Sequence, residues 1–274
     1  MEASTAAPTN TQAPPSSASG MKVRKRNGNL EAVDLNKIVR AVSRCAEGLS
    51  EVDPMRIATR TISGLYDGAT TSELDRLSIQ TAAALTAEEP QYSRLAGRLL
   101  STYIDKEVQN QEIHSFSQSI QAGYEKGLIR KETFEFVQAN RRKLNDAIEA
   151  SRSFLFGYFG LRTVYDRYLL KDPVSREVIE TPQYFFLRVA CGLAQRPGEA
   201  RDFYHLISSL RYLPSSPTLF NSGTRIPSSP PATCSTPRTI TSSPSTSAIR
   251  TWRSSPSLLA GSALPTTGFG RVAR

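Results

Sequence analysis

The sequence predicts a mainly α-helical protein with one short β-hairpin near its start. Apolar residues recur at helical spacing through most of residues 35–210. A single Asn-Gly pair, Asn27-Gly28, separates two short runs that alternate like strands. Globular composition is confined to residues 21–228, which hold 29 basic and 24 acidic side chains and therefore a modest net charge of +5.

The two ends read differently. Residues 1–20 carry one charge (Glu2), three Pro and seven Ser/Thr, and are expected to be a disordered lead-in. Residues 229–274 carry five Arg, no acid, six Pro and eighteen Ser/Thr; beyond Ser228 apolar periodicity disappears, so this segment too is expected to be disordered. The whole chain of 274 residues has a net charge of +9, and the tail contributes more than half of it. No apolar run reaches the roughly 20 residues of a membrane span, and no basic region followed by an apolar stretch opens the chain. Cys45, Cys191 and Cys234 form neither a metal pair nor an even disulfide set. A cytoplasmic protein without membrane contact is expected.

Order is expected from Met21. Val23–Arg26 and Leu30–Val33 flank the Asn-Gly pair, which predicts a hairpin closed by a two-residue type I′ turn. Asp34 stands where an N-cap belongs, and Leu35, Ile38, Val39, Val42, Cys45, Ala46 and Leu49 mark one face of a helix over 35–48. A second helix is expected from Pro54 to about Tyr66, closed by Asp67-Gly68. Ser72 with Asp75 three residues on resembles a capping box and opens a third helix through about Thr86. Pro90 starts a fourth, with Tyr92, Leu95, Ala96, Leu99, Leu100 and Tyr103 on one side. Helices follow at 116–127, 131–139, around 140–160 and at 181–195, where Pro182 suits a first turn. Arg162–Leu170 has no decisive pattern. Leu213–Gly223 reads as the end of a helix passing into a buried strand.

Few residues carry chemistry. Lys22, Arg24, Lys25 and Arg26 form either a solvated charge run or, with Lys37 one turn inside the following helix, a cationic spot suited to a phosphate chain. Glu31 could then accept from a base or ribose hydroxyl. His114 and His205 are far apart and without Asp or Cys companions, so surface or core roles are expected. Cys45 and Cys191 fall on apolar helical faces, where an inert thiol is usual. Ser216 and Thr218 flank Pro217 in a rigid turn, open to packing or ligand contact.

Several blocks match a known family in order: Val23–Gly28 with Asp34–Ile38, then Tyr66–Gly68 with Thr70–Ser72, Tyr103–Lys106, Gly160–Leu170, Glu180–Gln183 and Ser216–Thr224. They resemble the N-terminal part of class I ribonucleotide reductase large subunits, covering about residues 21–228. The resemblance implies an ATP-cone at 21–110 (small β-hairpin plus helical bundle), a helical reductase N-terminal domain at 111–210, and at 211–228 the first strand of a ten-stranded α/β barrel, incomplete here. It implies that Lys25, Arg26, Glu31, Lys37, Thr71 and Lys106 line an allosteric ATP/dATP site, and that Ser216 contacts substrate. Asp75 stands where a His can occur in the family. The reaction implied is reduction of ribonucleotides by a cysteine thiyl radical with a redox Cys pair. The implied partners are a diiron small subunit, thioredoxin or glutaredoxin, and further large subunits. No metal in this chain and no specific nucleic acid are implied. A stand-alone ATP-cone regulator is the alternative; it would need a DNA-reading element such as a Cys-rich zinc ribbon, which three scattered Cys do not provide.

The tail leaves the family pattern abruptly. Where Leu-Ser-Xaa-Cys-Tyr-Leu is expected, the chain has Ser229-Pro230-Pro231-Ala232-Thr233-Cys234-Ser235. Back-translated and read one frame over, Pro231–Ser235 can give Cys-Tyr-Leu-Phe, and Pro256–Thr267 can give Lys-Phe-Ala-Gly-Gly-Ile-Gly-Phe-Ala-Tyr-His, which resembles the family's next barrel motif. The expectation is a single-base frameshift near Ser228, so that Cys234 is not the redox cysteine and this chain alone does not reduce ribonucleotides. Limited proteolysis is expected to remove 229–274 and leave 21–210 largely intact; protease protection across 235–270 would contradict that reading.

Overall fold

The computed structural model describes residues 21–25 and 28–225. The expected lead-in at 1–20, the turn residues Arg26 and Asn27, and the expected tail at 229–274 lie outside the described residues.

Strands β1 (Lys22–Arg24) and β2 (Leu30–Ala32) pair antiparallel, with Lys22 opposite Ala32, Val23 opposite Glu31 and Arg24 opposite Leu30. Beyond that register Lys25 and Asn29 are the last hydrogen-bonded pair, which leaves three residues between them and not the two expected. Gly28 N–H donates to the Lys25 carbonyl (2.9 Å) and Lys25 N–H to the Asn29 carbonyl (2.8 Å), while Gly28 takes φ 85°. A three-residue hairpin with glycine in the left-handed position satisfies the same Asn-Gly signal with one more loop residue. The chain 67–70 docks on the other side of β1. Asp67 Oδ1 accepts from Lys22 N–H (2.8 Å), Gly68 N–H donates to the Lys22 carbonyl (2.8 Å), and Arg24 N–H donates to the Ala69 carbonyl (2.9 Å). The hairpin is thereby held beside the start of the third helix.

Helix α1 (Leu35–Ala46) is capped by Asp34, whose carboxylate accepts from Asn36 N–H, and the chain leaves it through Gly48 at φ 76°. Helix α2 (Pro54–Ser63) has Asp53 as cap and Pro54 in its first turn. Helix α3 (Thr71–Ala84) corrects the expected cap. Thr70 is the N-cap, its hydroxyl accepts from Glu73 N–H (3.1 Å), and the Glu73 carboxylate returns to Thr70 N–H (2.8 Å). The capping box thus lies two residues upstream of the Ser72–Asp75 pair and uses the usual glutamate.

Helix α4 (Gln91–Gln109) buries Tyr92, Leu95, Ala96, Leu99, Leu100, Tyr103, Ile104 and Val108. These face both ways: α1 and α3 pack on one side, and the 3-10 turn Ala150–Leu155 with helix α8 (Tyr158–Arg167) on the other. Gly97 makes the second contact possible, since a Cβ there would stand 2.6 Å from the Phe156 carbonyl oxygen. Helices α5 (Phe116–Glu125), α6 (Lys131–Ala139) and α7 (Arg141–Asn145) follow, the first two on their expected positions. Residues 162–170, undecided from sequence, are mostly the second half of α8. Helix α9 (Pro182–Leu193) is almost wholly buried, and α10 (Pro197–Ser208) packs along it.

The segment expected to become a barrel strand is instead a short helix, α11 (Ser216–Asn221), with Pro217 in its first turn. Among the described residues of this segment only Thr224 makes a strand-like bridge, to Ile129. Pro217 sets a helical φ and supplies no N–H to a ladder, so the local preference favours a helical turn here.

At the centre of this half Arg188 is fully buried. Its Nε donates to Glu180 Oε2 (2.9 Å), Nη2 to Glu180 Oε1 (3.0 Å) and Nη1 to the Ser222 carbonyl (2.7 Å); Glu180 also accepts from Leu170 N–H (2.8 Å). One guanidinium thus ties α9, the 170–180 loop and the end of α11 together. Arg188→Ala is expected to destabilise by about 3–5 kcal/mol, because it leaves Glu180 buried and unpaired. Arg162→Ala, which breaks an exposed pair with Asp166 (2.7 Å), is expected to cost less than about 1 kcal/mol. Urea unfolding of both variants checks the contrast.

Candidate functional site

A cavity of about 660 Å3 lies between α1, α3 and α4. Its volume falls in the ordinary range for small-ligand pockets. Lys37, Thr71 and Lys106 line it, and so does Asp75. Its floor is apolar: Ile38, Ala41, Val42, Leu74 and Leu99. Helix α1 and helix α4 run in opposite directions along it. Lys37 and Lys106 therefore share one end, while Cys45 and Arg98 share the other, where Arg98 Nη1 donates to the carbonyls of Cys45 (3.0 Å) and Glu47 (2.6 Å). Arg98 and Lys106 are eight residues apart on one helix, which separates the two ends by about 12 Å.

The hairpin reaches the cationic end through Glu31. Its carboxylate pairs with Lys25 (2.5 Å) and Lys37 (3.6 Å), and these two cations, Lys25 first, hold the Glu31 carboxyl below the usual carboxylate range. Lys106 Nζ donates to both oxygens of Asp75 (2.9 and 3.0 Å). Among the described residues three lysines and two carboxylates meet here, so most of the positive charge is already matched. Of the six expected effector-site residues, three line the cavity, Lys25 and Glu31 stand at its edge through the Lys37 pair, and Arg26 lies outside the described residues. Arg24 does not line it. Ser216 is elsewhere, in the first turn of α11, where its hydroxyl meets the Tyr168 hydroxyl (3.1 Å) and Tyr168 stacks on Phe220 (ring centroids 4.5 Å).

Sequence reasoning missed Arg98 and Thr102. A spacing of four, Arg98–Thr102–Lys106, places all three on one helix face and could have found them. Cys45 was expected to be a buried thiol; it is half-buried and lines the cavity, its sulfur 3.8 Å from the Thr102 hydroxyl, and burial pushes its thiol up from the ordinary range. Phe154, which comes from the 3-10 turn, also lines the cavity, and no sequence signal marks it. A second cavity of about 490 Å3 lies between α3, α4 and α8 and holds Arg76, Tyr103, Tyr158, Arg162 and Tyr165, none of them an expected site residue. Among the described residues no group of His, Cys, Asp and Glu could hold a metal, and no helix is long and apolar enough to cross a membrane.

A hairpin and four-helix unit with a cationic, apolar-floored cavity has the character of a nucleotide-binding regulatory domain, and comparison with known proteins agrees. Residues 21–107 match the ATP cone domain, and residues 154–227 match the all-alpha domain of ribonucleotide reductase. The chain is 36% identical over 211 residues to a ribonucleoside-diphosphate reductase large subunit of Caenorhabditis elegans, covering 74% of this chain and 26% of that one. Equal identity is found with the large subunits of Danio rerio (76% and 27%) and Arabidopsis thaliana (76% and 26%). The chain belongs to the ribonucleotide reductase large-subunit family, and it spans about a quarter of the length of the curated relatives it matches.

Asp105, the neighbour of Lys106 on α4, does not line the cavity. Burial pushes its carboxyl up to about 6. The unfolded chain ionises this group near 4 while the folded chain holds its proton to about 6, so stability falls as pH rises through that interval and stays lower above it. Asp105→Asn is expected to stabilise by about 1–3 kcal/mol at pH 7 and to change little near pH 4, measured by denaturant unfolding at both values.

Proposed function

We propose that the cavity is the effector site of a ribonucleotide reductase large subunit and takes ATP and dATP. The supporting observation is the placing of Lys37, Thr71 and Lys106 at one end of an elongated apolar cavity, with Lys25 joined to them through Glu31. The triphosphate lies at that cationic end. The lysines act there as point charges exchanging carboxylate for phosphate oxygens, and Arg26, at the turn, is the residue able to engage an oxygen pair. Glu31, released from Lys25 and Lys37, accepts from a hydroxyl or amino group of the nucleotide. The apolar floor receives ribose and base.

The whole protein, on this reading, reduces ribonucleoside diphosphates to deoxyribonucleotides for DNA synthesis. It works in the cytoplasm with a diiron small subunit, takes electrons from thioredoxin or glutaredoxin, and associates with further large subunits. Ser216 is the substrate-contacting residue of its barrel. The stand-alone regulator is disfavoured because the all-alpha reductase domain follows the cone in the same chain.

Lys37→Ala is expected to weaken ATP binding by roughly 1.5–3 kcal/mol, the range for a hydrogen bond to a charged group. Arg24→Ala, on an exposed residue outside the cavity, is expected to change it little. Calorimetric titration of the full chain and both variants measures this. Equal losses would mean diffuse attraction to a basic patch, and no binding by the unaltered chain would overturn the effector reading itself.

A further inference from the structure

The cavity has one wall that the cone does not supply. Phe154 lines it at the end away from Lys37 and Lys106, yet it belongs to the 3-10 turn Ala150–Leu155, beyond the residues that match the ATP cone. The residue is nearly half exposed (48%), and its ring rests on the Arg98 guanidinium, 5.7 Å from ring centroid to Cζ. Arg98 is itself only partly satisfied: Nη1 holds the two carbonyls at the end of α1, while its buried Nε has no hydrogen-bond partner among the described residues. A large apolar ring left in water beside an imperfectly paired cation is an arrangement that a planar ligand improves.

The residues before Phe154 are fixed, and they are fixed to the other half of the molecule. Arg152 Nη1 donates to the Ser208 hydroxyl (2.6 Å), its Nη2 meets His205 Nδ1 (2.8 Å), and its guanidinium lies over the Tyr204 ring (5.8 Å). Glu149 N–H donates to the Tyr204 hydroxyl (3.0 Å), and the Ser153 hydroxyl accepts from Gln183 (3.2 Å). Two residues from the cavity, then, this turn is bonded to both α9 and α10.

Resting on the effector reading above, we propose that Phe154 is a nucleotide-contacting residue lent to the cavity by the helical domain, and that its contact with the base couples occupancy of the cavity to α9 and α10. With phosphates held at the lysine end, the cavity's length brings the base to Phe154. Stacking orders a ring that otherwise has one exposed side. The ordering passes through a turn too short to absorb it and into Tyr204, His205 and Ser208. A ligand shifts a distant element only through such a differential contact, and Phe154 is where this cavity provides one.

The test is hydrogen exchange of the full chain with and without ATP, for the unaltered protein, Phe154→Ala and Phe154→Tyr, with affinities measured in parallel. ATP is expected to slow exchange in α1, α3 and α4 and also in residues 149–155 and α10. In Phe154→Ala the dissociation constant rises roughly three- to tenfold, the scale of one aromatic contact. Protection there persists in the cone helices at saturating ATP but is lost from 149–155 and α10. Phe154→Tyr restores both. Because the side chain is half exposed, Phe154→Ala is expected to melt within a few degrees of the unaltered protein, and the protection pattern is read between saturated and free states of each variant. Protection of α10 that survives in Phe154→Ala, or ATP binding by the unaltered chain with protection confined to the cone, overturns the coupling and leaves the effector site standing. Absence of ATP binding overturns both.

Discussion

Helix α4 has to satisfy two cores at once. Nineteen residues long, it gives one face to α1 and α3 and the other to α8 and the Ala150–Leu155 turn, so neither half of the described chain has a complete interior without it. A helix buried against two sets of neighbours reads as a wide apolar band and not a narrow stripe; Leu95, Ala96, Leu99, Leu100, Tyr103 and Ile104 spread over about half of its circumference. The small residue at Gly97 lets the backbone of 156–158 approach closely enough to seal the second interface. The functional groups are what remain at the boundary between the two cores. Arg98, Thr102 and Lys106 form a line along the helix that looks into the cavity, whereas Glu107, one residue on, turns toward α8 and the loop that follows it. There it accepts from the Tyr165 hydroxyl (3.0 Å) and from Val178 N–H (3.2 Å). Adjacent residues of a single rigid element thus face different neighbours.

The hairpin contributes in another way. It has little core of its own, with Val23 its one buried apolar side chain among the described residues. It is positioned by backbone hydrogen bonds to 67–69, the segment that leads straight to the Thr70 cap. Strand, cap and cavity wall are therefore consecutive links, and the pinning of the chain between Asp67 and Thr70 to β1 sets where Thr71 enters the cavity wall.

Much of this was legible in the sequence, for reasons that differ from residue to residue. Asp34, Pro54 and Pro182 announce helix starts through local chemistry, and local chemistry survived folding. The hairpin was legible as a hairpin but not in its loop length, because Asn-Gly serves both two- and three-residue turns and only cross-strand register separates them. The Ser72–Asp75 pattern misled because Thr70–Glu73 offers a better cap two residues earlier, once β1 has fixed the approach of 67–70. The strand expected near 213–223 failed because Pro217 favours a helical turn in the arrangement seen here. Phe154 was out of reach altogether. Its place in the cavity depends on how two domains pack, and nothing in residues 150–155 encodes that.

The pairing of Lys25 and Lys37 with Glu31, and of Lys106 with Asp75, bears on how a ligand arrives. A site whose cations already carry their own counter-charges projects little field past the first few ångströms, and at physiological ionic strength what remains decays within about 8 Å. An anion in solution is then scarcely drawn toward it, despite the basic excess of the chain as a whole. Encounter proceeds at the rate of unguided diffusion, and different polyanions meet the opening about equally often. On the proposed effector reading, selection among them falls to how long each stays, which is decided by exchange of carboxylate for phosphate and by what the far end of the molecule finds to touch.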